Sequence, residues 1–138
     1  MENRNQKEFS EFVLKGILQN FPQFSDNYCF NDNIVVIEQS SKTGSVSLWI
    51  TTQNVEITVG FDNEKGECIW HTHMSLYGAN EPEEELKQAI ILIENILTGK
   101  EIIVIDSNFN YYLTQNPESE IAENIDGDNL KFRKWIEL

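Results

Sequence analysis

Between residues 5 and 20 the apolar positions Phe9, Phe12, Val13 and Ile17 make one stripe at helical spacing, with Lys7, Glu8, Glu11 and Lys15 on the other side. This pattern predicts a helix over about residues 5–20. It should stop at Phe21-Pro22, because a residue before proline avoids the α region. Phe24, Tyr28 and Phe30 follow in a segment expected to be a loop that plugs one edge of the core. The period then falls to two. Strands are expected at 34–38, 45–52, 55–61 and 67–74, with a turn cluster at Ser40 to Gly44.

Two short gaps suggest hairpins, one at Gln53-Asn54 and one at Asn63 to Gly66. They set an expected register of Ile50 with Ile57, Leu48 with Val59 and Val46 with Phe61. On the next strand it pairs Trp70 with Val59, Thr72 with Ile57 and Met74 with Val55. These residues share a mostly apolar face. The opposite face then carries Ser47, Trp49, Thr51, Glu56, Thr58, Gly60, Ile69, His71 and His73.

A second helix is signalled by Asn80 as N-cap, Pro82 at the first helical position and Glu81, Glu83, Glu84 and Glu85 near the positive end of the helix dipole. Leu86, Ala89, Ile90, Ile93, Ile96 and Leu97 form its expected buried face, and Gly99 follows its last turn. Residues 102–105 and 111–113 read as a further hairpin. Glu118 to Asn124 can form a short acidic helix, and Asp126-Gly127-Asp128 a turn. From Leu130 the tail alternates as a strand, although Phe132, Trp135 and Ile136 also fit a helix; the strand is the favoured reading.

These elements predict one α+β domain over residues 1–138. Its antiparallel twisted sheet would have about six or seven strands packed on two helices, in the order α-β-β-β-β-α-β-β-β. The expected core is Phe12, Ile17, Leu48, Ile50, Ile57, Val59, Trp70, Leu86, Ile90, Ile93, Leu97, Ile103 and Ile105.

Charge narrows the function. Ten Lys and Arg against 23 Asp and Glu give a net charge of −13. Such a chain repels a phosphate backbone, so nucleic acid is not an expected partner. No apolar run is long enough to span a membrane. The opening MENRNQKEF lacks the apolar segment of a secretory leader, and a reducing cytoplasm is the expected compartment. The two cysteines, Cys29 and Cys68, are too few for a disulfide framework and are expected as reduced, mostly buried thiols.

The sequence carries no GxSxG, P-loop, GxGxxG or HExxH motif, and no enzyme activity or cofactor is expected. A nucleophilic set would need Ser or Cys beside His. The expected register puts Cys68 on the core face, away from both histidines. His71-Thr72-His73 is the most visible chemical candidate. Residues i and i+2 of a strand share a face, so both imidazoles with Glu56 are candidate metal ligands. The alternatives are a recognition surface of Trp49, Glu56, His71 and His73, joined by Trp135, or a second core layer covered by the rest of the chain. Glu83, Glu84 and Glu85 are candidate steering charges for a basic partner.

The run Val55 to Phe61, then Trp70 to His73, then an acidic start to an Ile-rich helix, and finally Lys131-Phe132-Arg133-Lys134-Trp135, resembles small acidic uncharacterised bacterial proteins over residues 45–137. These are similar to immunity proteins of polymorphic toxin systems. The resemblance implies a cytoplasmic inhibitor, without enzyme activity, that binds a toxin domain. It assigns no functional residue. A metal- or small-molecule-binding protein, and a self-associating structural protein such as a homodimer, are the other readings.

Overall fold

Asn5 caps helix α1 (Gln6–Asn20), its side-chain oxygen accepting from Glu8 N at 3.0 Å. Phe9, Val13 and Ile17 are buried as the spacing predicts. Phe12 is not: it lies a full residue's rotation from Val13, at the margin of the stripe, and is exposed. The computed structural model describes residues 5–124 and 127–138. Asp126, part of the expected turn, lies outside the described residues; Gly127–Asn129 form a single 3-10 turn.

The loop expected after α1 contains a strand. β1 (Tyr28–Asn31) pairs antiparallel with β2 (Ile34–Ser40). Asp32 and Asn33 join them, both at positive φ (52° and 66°), the geometry of a tight two-residue hairpin turn. Phe24 is buried, but Tyr28 on this strand is exposed. β3 (Val46–Thr51), β4 (Thr58–Asn63) and β5 (Cys68–His73) complete a five-stranded sheet in the order β1-β2-β3-β4-β5.

The register differs from the expected one by two residues. Ile50 pairs with Val59, Leu48 with Phe61 and Val46 with Asn63; Trp70 pairs with Phe61 and Thr72 with Val59. Between β3 and β4 the cause is the connection, which is a 3-10 turn at Gln53–Val55 and not a two-residue gap. Helix α1 holds that turn. Gln6 Nε2 donates to Thr52 O (2.8 Å), and Gln6 Oε1 accepts from Val55 N (3.1 Å). Buried Ser10 and Thr52 share a 2.6 Å hydroxyl contact, and Thr52 Oγ1 accepts from Val35 N at 2.9 Å. A shift of two preserves side-chain parity, so β3, β4 and β5 from Trp70 onward keep their expected faces even though the pairing moves.

α2 (Pro82–Thr98) starts from Glu81, not Asn80, as its N-cap. It ends at Gly99 in the left-handed region (φ 83°), as the sequence predicts. Gly16 of α1 abuts Leu86. A Cβ there would stand 2.4 Å from Leu86 Cδ2, so the glycine permits the close crossing of the two helices. Ala89, Leu92, Ile93 and Ile96 bury against the sheet in one cluster with Leu48, Ile50, Val59 and Phe61. Leu86, Ile90, Leu97, Trp70 and Ile105 flank this core half-buried, where full burial was expected. Ile93→Ala is expected to lower the unfolding free energy by about 2–5 kcal/mol in urea denaturation.

The remaining strands do not extend the first sheet. β6 (Ile102–Ile105) lies between β7 (Tyr111–Thr114) and β8 (Lys131–Arg133) in a separate three-stranded sheet, with α3 (Pro117–Glu123) between β7 and β8. The order is therefore α-β-β-β-β-β-α-β-β-α-β, an α+β fold with two antiparallel sheets. Of the strand favoured for the tail only Lys131–Arg133 forms; a 3-10 turn follows at Trp135–Glu137. Trp135 stacks on Phe61 with ring centroids 6.2 Å apart, and Leu138 O accepts from Thr43 N at 2.8 Å. The tail thereby fastens the second sheet to the first. Among the described residues, no helix is long and apolar enough to cross a membrane.

Candidate functional site

The helices cover one face of the five-stranded sheet. The ladders define the other as three cross-strand rows. One runs Cys29, Val36, Thr51, Thr58, His73; the next Glu38, Trp49, Gly60, His71; the third Ser40, Ser47, Asp62, Cys68. Cys68 and His71 are exposed, and Trp49 and His73 are half-exposed, so solvent reaches this face. It is not a second core layer.

Trp49 is held in place from two sides. Its Nε1 donates to Asp62 Oδ1 at 2.8 Å. Its ring lies over Gly60, where a Cβ would fall 2.3 Å from Trp49 Cζ2. Gly60 is the site's one backbone requirement, since any side chain there would lift the indole. Trp135 does not join this face: it packs on Phe61 and belongs to the core side.

The histidines are ordered by their neighbours. His73 Nδ1 lies 2.8 Å from Thr58 Oγ1 and 3.2 Å from Glu56 Oε1. A carboxylate at Nδ1 favours the tautomer protonated there and leaves Nε2 as the acceptor. Side-chain exposures of 37% for His73 and 32% for Glu56 leave the pair wet, so it orients the ring more than it stabilises the fold. Thr58, not Glu56, stands opposite His73 in the ladder; Glu56 reaches the ring from the extended residues before β4. His71 meets His73 edge-on, ring centroids 5.4 Å apart.

Cys68 is the residue that sequence reasoning misplaced. Phe61 pairs with Trp70 and Asp62 with Cys68, so Ile69 is an extra residue in β5. This bulge reverses side-chain parity before Trp70 and turns Cys68 onto the open face. Its Sγ lies 3.7 Å from His71 Nδ1. Cys29 is exposed too, so neither thiol is buried as expected. The available signal was the parity of Cys68 against Asp62, which depends on where the bulge falls.

The acidic start of α2 divides. Glu83 and Glu84 are exposed on the helix side of the sheet, away from the cluster around Trp49. Glu85 is not a steering charge. It is 2% exposed, and its Oε1 accepts from Ile57 N at 3.0 Å, fastening the start of α2 to the bend before β4. Glu85→Ala strips that N–H of its acceptor and is expected to lower stability by about 1–3 kcal/mol. Glu85→Gln keeps an acceptor and should lose less, as urea denaturation of the pair will show.

Shifted titrations lie elsewhere, in the second sheet. Hydrogen bonds from Asn110, backbone and side chain, and from Asn108 N hold the Asp106 carboxyl below its usual range. Burial first, then the charges of Glu120 and Asp106, push the Tyr112 hydroxyl up.

For a metal, the structure brings His73 and Glu56 together and sets His71 beside them. Among the described residues, however, no group of three or more His, Cys, Asp and Glu side chains is placed to hold an ion. No protein-family model, curated protein or solved structure matches this chain.

Proposed function

We propose that this chain is a non-enzymatic protein-binding module that docks a basic partner on the open sheet face. In its concrete form it is an immunity-type inhibitor that occludes a bacterial toxin domain sterically and electrostatically. The observation that carries the reading is Trp49, half-exposed yet held by Gly60 beneath it and Asp62 beside it. Interface energy concentrates in anchors of this type, and a side chain already fixed loses little entropy on binding. Glu38, Glu56 and Asp62 supply negative charge around it, and His71 and His73 supply polar contacts. The net charge of −13, with Glu83 and Glu84, draws in a basic partner from a distance. On this reading the chain works in a reducing cytoplasm.

The test is calorimetric titration against toxin domains of basic charge at low and high salt. The account expects an affinity that falls steeply with salt, as screening over roughly 10 Å at 0.1 M requires. Binding unchanged by salt, or none, counts against it. The metal reading has one observation in its favour, the His73–Glu56 contact. It predicts a zinc-dependent rise in melting temperature that disappears in His71→Ala/His73→Ala.

A further inference from the structure

We propose that Cys68 is a reactive thiol, paired with His71, that forms mixed disulfides with low-molecular-weight disulfides of the glutathione class. Three observations converge. Cys68 is exposed. The Ile69 bulge aims it at the histidine face, and bulges characteristically re-aim side chains in this way. Its Sγ stands 3.7 Å from His71 Nδ1, within reach of a sulfur hydrogen bond. A nucleophile beside a base is the arrangement that activates a thiol.

In the step, His71 in its Nε2–H tautomer takes the Cys68 proton at Nδ1. The thiolate attacks one sulfur of the disulfide R–S–S–R. The S–S bond breaks as the new Cys68–S bond forms, and R–S⁻ leaves and takes up the proton. The incoming disulfide is the oxidant: one of its sulfurs stays bound to Cys68 and the other leaves as a thiol. The Trp70 carbonyl, 3.6 Å from Sγ, competes for the thiol proton while the pair is at rest. Asp62 stands opposite Cys68 in the ladder, His73 lies edge-on to His71, and Glu67, next in sequence, accepts from Asn63 Nδ2.

Cys29 serves as an internal control. It is also exposed, but it lies on β1, four strands from the histidines of β5. The experiment uses the full chain as Cys29→Ser and Cys68→Ser, each with a single thiol, and as Cys29→Ser carrying His71→Ala or His71→Gln. Folding is checked by circular dichroism. Reaction with oxidised glutathione is followed by mass from pH 6 to 9. Cys68 should react about tenfold faster than Cys29 at pH 7, because His71 stands within reach of its proton. Both His71 variants should lose the advantage. Equal rates for the two cysteines, or a fast Cys68 unaffected by either His71 variant, would overturn the proposal.

Discussion

Phe61→Ala is expected to remove about 3–5 kcal/mol of stability. Phe61 is fully buried, and its ring lies 5.0 Å from Trp70 and 6.2 Å from Trp135 between centroids. It stands on β4, one strand in from the β5 edge of the first sheet, and holds the segment that follows β8. Truncation therefore opens a cavity in the core and also releases the tail that ties the sheets together. Urea denaturation followed by both tryptophan fluorescence and far-UV circular dichroism should show one transition, moved to lower denaturant. Phe61→Leu keeps most of the volume and should lose less than about 1.5 kcal/mol. A near-zero loss for the alanine variant would mean that the tail does not depend on this contact.

Gly60→Ala should destabilise by about 1–3 kcal/mol, as overpacking does. The sign is the informative part. In an ordinary strand the same change stabilises by roughly 0.5–1 kcal/mol, because glycine loses more backbone entropy on folding. Here the new Cβ would meet Cζ2, Cε2 and Cη2 of Trp49 at 2.3, 2.6 and 2.7 Å. The indole must swing away and give up its bond to Asp62. Trp49→Ala removes the obstacle, so the double variant should lose less than the two single losses added together. The mismatch should be about 0.5–3 kcal/mol, the usual range for touching residues. Additive losses would show that Trp49 does not rest on Gly60.

The parts of the molecule legible in the sequence are those governed by period. The α1 stripe, the alternation in β3 and β4 and the left-handed Gly99 follow from local pattern alone. Side-chain parity survived in β3, in β4 and in β5 from Trp70 onward, since a two-residue slip leaves those residues on their faces. What failed depended on connections. The Asp32-Asn33 turn lacks the glycine that usually marks a tight hairpin, which hid β1. The turn at Gln53–Val55 is set by Gln6, 49 residues from Val55 in sequence. The second sheet is separate because β6 pairs with β7 and β8, a choice that local pattern does not express.

The candidate site was legible to the same degree. Trp49, Glu56, His71 and His73 fall on one face because parity placed them there. Cys68 was missed because a single extra residue, Ile69, reverses parity for everything before it. Glu85 was misread because charge at a helix start is ordinarily solvated, whereas this carboxylate answers a backbone N–H of the neighbouring strand connection.

The most direct test of the open face as a docking surface is neutralisation in cells. A toxin domain of basic charge that binds the wild-type chain in the calorimetric titration is co-expressed with the wild-type chain and with Trp49→Ala/His73→Ala, after matched folding and abundance have been verified. The account predicts survival with the wild type and death with the double variant. Equal protection by both chains, or protection by neither, would contradict it.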